Sequence, residues 1–271
     1  MPPEQPVKAA REARKNLGVG EESRLPDILK LIEGTARVPV FLQALPDGLS
    51  GAYRLKGGAP FILVSNAVAP VRQRFTLAHE YGHHVLGHGS LLDTEETLRD
   101  FTHDPREVDA NKFAAEFLAP IRAIQNWMEA HDQPAVDLEV VVRVADAFGI
   151  SAAAARIRLE AARFLTSPQA RKRITEAIEA GEHRQLEARL GLGGVTDELS
   201  RLYREGRDRK STETWDKTLD AWEQRYISLR KAAQILGIST GELEQEIARR
   251  RIVQVVDGSD PEFDVDEDDV G

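Results

Sequence analysis

The chain has 271 residues, 41% of them hydrophobic, and a formal net charge of −9. That length allows two modest domains or one catalytic domain with extensions. It has no cysteine, which excludes disulfides and thiolate-held zinc and leaves His, Asp and Glu as metal donors. The charge is uneven: residues 257–271 hold eight acidic and no basic side chains, and without them the body is close to neutral at −1. Such a tail reads as self-repelling and disordered. No stretch approaches the roughly 18 apolar residues of a membrane span, and the N-terminus lacks the apolar core of a signal peptide. Cytoplasm is the expected location.

In chain order, residues 7–16 and 25–34 suit short helices divided by Gly18 and Gly20. Residues 38–45, 49–55 and 60–65 are rich in strand formers and predict a small three-strand meander. Residues 71–86 carry helical apolar spacing, with Pro70 at the entry. A polar surface loop is expected over 87–102. Pro105 then opens a helix over 106–118. Residues 121–130, 137–147 and 151–165 also read as helices, the last capped by Ser151. Residues 168–191 are helical, Gly191, Gly193 and Gly194 mark a boundary, and 196–256 read as wholly helical. The most organised piece is 229–247. No internal repeat of fixed period is present.

The chemistry is concentrated in RQRFTLAHEYGHHVLGH. His79 and His83 stand four residues apart, about one helical turn, so both imidazoles leave the same face and can hold one divalent ion. Glu80 is placed to hold and deprotonate a water, as in the H-E-x-x-H pattern of zinc peptidases. Gly82 removes a side chain beside these residues, at a helix cost of about 1 kcal/mol. Zinc needs a third protein ligand and an open position. Glu107, in the first turn of the second helix, ranks first and His103 second. Asn111, one turn after Glu107, can orient a ligand.

RFTLAHEYGHHVLGH followed by EVDANKFAAEFLAP resembles the ImmA/IrrE family of metallopeptidases over about residues 35–125, with weaker likeness to about 165. The resemblance implies zinc held by His79, His83 and Glu107, with Glu80 as catalytic base; the family asparagine matches Asn111. Tyr81 and Ala119 stand where the family usually has a leucine-like residue and a methionine. The implied fold is α+β, a minimal zincin-like metallopeptidase domain with a small β-sheet, followed by helix-turn-helix-like segments. The expected division is 1–130 zincin-like domain, 131–167 helix-turn-helix-like segment, 168–256 helical C-terminal domain and 257–271 acidic tail. Many relatives of this kind cleave a DNA-binding repressor and so switch on stress or mobile-element genes, which makes a repressor the expected protein substrate.

At such a site Glu80 would pass a proton from water to the leaving amine. A second donor to the developing oxyanion is expected, with Tyr81, His84, His88 and His103 as candidates. Residues 61–66 are expected to offer a sheet edge to an extended substrate. Manganese is also compatible with an N,N,O donor set, and the helical C-terminus offers a surface for homodimer formation. Two other readings stand beside this one. One is a latent or structural metal site closed by His88 or His103. The other is a DNA-binding or protein-docking module at 137–165 or 229–250. Direct DNA binding is expected to be unfavourable, because Glu242, Glu244 and Glu246 in a reading helix would repel phosphate.

Overall fold

The computed structural model describes residues 5–89, 104–131, 135–192, 198–205 and 208–256. The expected surface loop is described only at its start, 87–89. The acidic tail lies outside the described residues. Two compact units divide the chain, Met1–Thr212 and Glu213–Gly271.

The first unit opens with α1 (Gln5–Asn16) and α2 (Ile28–Gly34). Asp27 starts α2 by accepting from the backbone N–H groups of Leu29 and Lys30, two donors that the helix leaves free. A three-stranded sheet follows, β1 (Val40–Gln43), β2 (Gly51–Lys56) and β3 (Ala59–Ser65). Its order is β1-β3-β2, not the expected meander. β3 runs parallel to β1, with Val40 opposite Ile62, and antiparallel to β2, with Gly51 opposite Val64. Strand composition gives the reason. β3 carries FILV, with Ile62 and Val64 at 0% exposure, and takes the centre; β2 carries Arg54 and Lys56 and takes an edge, where charge is tolerated. Gly57 and Gly58, both at positive φ, form the two-residue hairpin turn between β2 and β3. Residues 61–65 therefore lie in a strand paired on both sides and offer no free edge.

Next come α3 (Pro70–Val85) and α4 (Pro105–Leu118). Each has proline in its first turn, and Asp104 caps α4 by accepting from the Arg106 N–H. The two helices pack closely where Gly82 of α3 meets Phe113 of α4: a Cβ at Gly82 would stand 2.9 Å from a Phe113 ring carbon. The glycine in the motif is thus a packing requirement of the helix pair.

α5 (Ile121–Ala130), α6 (Leu138–Phe148), α7 (Ala152–Ala161), α8 (Pro168–Glu179), α9 (Glu182–Arg189) and α10 (Glu198–Glu205) complete the unit. One apolar cluster joins α1, the sheet, α3, α4, α6 and α7, and reaches Ile174, Leu199 and Leu202. Among its supports is Glu116, 1% exposed, which accepts from Arg11 of α1 at 2.9 Å and from Arg158 of α7 at 2.5 Å. The region beyond 196 is not wholly helical. Arg209 forms a β-bridge with Leu42, its N–H and C=O both paired at 2.8 and 3.0 Å, and its guanidinium reaches Glu33 and the Val40 carbonyl.

The second unit contains α11 (Thr212–Glu223), α12 (Leu229–Leu236) and α13 (Thr240–Val256). Its own core is Ala232, Ala233, Leu236 and Leu243, with Trp215, Leu219, Trp222 and Ile247 against them. Among the described residues no helix is long and apolar enough to cross a membrane.

Two stability changes follow. Gly82→Ala gains helix propensity but must displace an aromatic ring, so a net loss of about 1–3 kcal/mol is expected in urea unfolding; equal or higher stability would contradict the packing argument. Glu116→Ala leaves Arg158 buried without its carboxylate, and a loss of about 3–5 kcal/mol is expected, with a matching fall in melting temperature.

Candidate metal centre

α3 turns one face toward a cleft of about 730 Å³ whose opposite wall is β2. On that face His79 and His83 follow one another by a turn, and the first turn of α4 brings Glu107 to them. His79 Nε2 lies 3.0 Å from Glu107 Oε2, His83 Nε2 lies 3.2 Å from Glu107 Oε1, and the two Nε2 atoms are 3.1 Å apart. One ligand atom from each of the three residues lies within 4.8 Å of the others.

The partners on the far sides of the rings define the donor set. Asn111 Oδ1 stands 3.1 Å from His79 Nδ1. A carbonyl oxygen can only accept, so the proton of a neutral His79 sits on Nδ1 and its Nε2 lone pair faces the cluster. His88 Nδ1 lies 3.0 Å from His83 Nδ1 and holds the other imidazole from behind. Two imidazole nitrogens and two carboxylate oxygens then converge with too few protons to join them. A divalent cation satisfies that set, and its N,N,O character suits zinc.

The electrostatics agree. Burial raises the Glu107 carboxyl, but hydrogen bonds and charge from His79 and His83 outweigh it and hold the group well below the usual carboxylate range. Burial lowers His79, but Glu107 and Glu80 outweigh that and raise it. Glu80 behaves differently. It is 9% exposed, and burial pushes its carboxyl up, only partly offset by His79 and His83. The backbone N–H of Tyr53 on β2 also donates to it. Gly51 allows β2 to lie this close: a Cβ there would collide with Thr76 and stand 3.2 Å from Glu80 Cγ. A desolvated carboxylate with few competing donors is a suitable proton acceptor.

Of the candidate second donors, Tyr81 is 5% exposed and packs on Phe113 and Phe117 in the core. His84 faces the sheet, where its Nδ1 meets Tyr53 Oη at 3.1 Å. His88 supports His83. His103, also the alternative third ligand, lies outside the described residues. Sequence reasoning did not single out the cleft walls: Tyr53 and Arg54 on β2, and Arg72, Phe75 and Thr76 on α3. The α3 residues were open to detection, because Arg72, Phe75 and Thr76 precede His79 at helical spacing on the same face.

A helix presenting two histidines and a glutamate across from an edge strand, with a third donor from the next helix, is an arrangement that could hold a metal ion. Residues 36–160 match the model of the peptidase M78 family, described as the IrrE N-terminal-like domain. A solved structure, a Mycobacterium tuberculosis transcriptional regulator, is similar at 21% identity and a TM-score of 0.38, over 62% of this chain and 48% of that one. The chain thus matches about half the length of that regulator. Comparison with curated proteins gave no match.

Asn111→Ala removes the acceptor that orients His79 and is expected to weaken zinc affinity by about 10–100-fold while leaving the metal stoichiometry unchanged at saturation. Competition with a chromogenic chelator measures this, and unchanged affinity would remove Asn111 from the site.

Proposed function

We propose that the chain is a zinc-dependent endopeptidase of the cytoplasm that cleaves a specific regulatory protein, a DNA-binding repressor in the first instance. The observation that carries this reading is the convergence of His79, His83 and Glu107 on one point beside a buried Glu80. Bound by those three side chains, zinc would supply the Lewis acidity that peptide hydrolysis needs.

The chain's own residues do the rest. The Glu80 carboxylate accepts a proton as water adds to the scissile carbonyl, then gives it to the leaving amine as the C–N bond breaks. The Tyr53 N–H and the close β2 backbone hold Glu80 in place. β2 is the sheet strand that lines the cleft, and β3 pairs with only one of its edges. An extended peptide adding to the other edge would be oriented by main-chain hydrogen bonds. Such pairing reads backbone, not side chains, so selectivity would come from docking elsewhere, which suits cleavage of one protein better than general digestion. The ImmA/IrrE resemblance supports a repressor as that protein.

Elemental analysis of protein purified without added metal tests the ligand set. One zinc per chain is expected, lost or much weakened in Glu107→Ala. Glu80→Gln should retain the metal yet lose about 10²–10⁴-fold in cleavage rate. Absence of bound metal even after zinc addition would overturn the peptidase reading. Full metal in Glu107→Ala would move the third ligand to another residue, with His103 next to be changed.

A further inference from the structure

The chain contains two helix pairs joined by the same three-residue turn. α6 ends at Gly149, in the left-handed conformation at φ 62°, and Ser151 caps α7 after Ile150. α12 ends at Gly237, at φ 71°, and Ile238 and Ser239 lead into α13. Both turns read Gly-Ile-Ser, and both are of the length and type found in helix-turn-helix modules. What the two pairs leave on their surfaces differs.

Around α6 and α7 the cations are consumed inside the first unit. Arg158 donates to Glu116 and to the Ala119 carbonyl, Arg156 pairs with Glu160, and Arg143 pairs with Glu139. The outer face of α7 carries Ile157, 53% exposed. This pair braces the metal-binding domain.

In the second unit the cations face outward. Arg225, Arg230 and Lys231 are all exposed and line the approach to α12 and its first turn. Lys231 donates to the neutral Gln234 amide at 3.2 Å. The acidic residues of α13 are arranged differently from the sequence expectation. The Glu242 carboxylate turns back to accept from the Ser239 N–H at 2.9 Å and its hydroxyl at 2.8 Å, a capping box. Glu246 is held by Arg249 at 2.7 Å. Of the three carboxylates that would repel phosphate, two are therefore directed into contacts within the chain.

The face that remains exposed on α13 is Thr240, Gly241, Glu244, Gln245 and Ala248, positions that fall on one side of a helix. Gly241 and Ala248 are small enough to let the helix approach a groove. Gln245 suits an adenine edge and Glu244 the amino group of cytosine. The acidic stripe of α11, Glu213, Asp216, Asp220 and Glu223, is exposed, whereas Trp215, Leu219 and Trp222 on the opposite side of α11 pack on the unit's core. Acid thus lies on the outer face of α11, and the exposed cations Arg225, Arg230 and Lys231 lie at and just before α12.

We propose that the unit formed by α11, α12 and α13 binds duplex DNA, with the first half of α13 in the major groove and the start of α12 on the phosphate backbone. This matches the docking of helix-turn-helix modules, whose second helix meets base edges with its N-terminal residues, and helix N-termini with flanking cations favour phosphate. It is independent of the peptidase reading, and neither fails with the other.

The test uses the full-length chain and a fluorescent random-sequence duplex of about 30 base pairs, followed by anisotropy while salt rises from about 50 to 200 mM. Binding at low salt that weakens by tens of fold over this range is expected. The double variant Arg230→Ala/Lys231→Ala should lower the salt slope by about 2 and weaken low-salt binding by about tenfold or more. Both residues are exposed, so its circular dichroism and melting temperature should match the parent. No binding at about 50 mM salt would overturn the proposal and leave the α13 face to a protein partner. Binding that the double variant leaves unaltered would overturn it as well, by placing the DNA contact elsewhere.

Discussion

The close approach of α3 and α4 is the constraint on which the site depends. His79 and His83 belong to one helix and share a face by helical geometry alone, but the third donor comes from another helix 24 residues further along the chain from His83. Glu107 reaches them because Phe113, a turn and a half later on α4, packs where Gly82 has no side chain. A Cβ at 82 would meet the Phe113 ring at this contact. The motif glycine therefore acts on the chemistry through packing.

The same logic places Glu80. Its carboxylate is buried by β2, and β2 can lie against α3 there because Gly51 presents no side chain to Thr76 and Glu80. Two glycines on two elements thus shape the two halves of the site, one beside His79, His83 and Glu107 and one beside Glu80. Behind them, Glu116 fastens α1 and α7 to α4 through Arg11 and Arg158. The helices after the motif are part of the scaffold that holds Glu107, which is why one apolar cluster extends from Ala10 to Leu202.

The two helix pairs show how one local arrangement serves two ends. Both have a serine cap and a left-handed glycine, features set by neighbouring residues. Their surfaces diverge because the arginines of one pair find carboxylates inside the first unit, while those near the other remain at the surface. Local sequence is nearly silent on that difference, since it depends on the partner that tertiary packing supplies.

The sequence by itself determined what short-range physics governs. Helix starts at Pro70, Pro105 and Ser151 were readable because caps and proline act within a turn. The shared face of His79 and His83 followed from the helical period, and the absence of cysteine restricted the donors to His, Asp and Glu. Glu107 stood out as a candidate by its place in a helix, and the resemblance carried by EVDANKFAAEFLAP strengthened it. Tertiary structure decided what depends on long-range pairing. The sheet order β1-β3-β2, in place of a meander, rests on which strand buries both edges, and the parallel pairing of β3 with β1 passes over the intervening β2, a contact that neighbouring residues do not specify. The bridge from Arg209 to Leu42 spans most of the first unit and leaves no local signal. The roles of Tyr81 and His84 were likewise decided by packing: both flank the ligands in sequence, yet the helical period turns them toward the core and the sheet, away from the cleft.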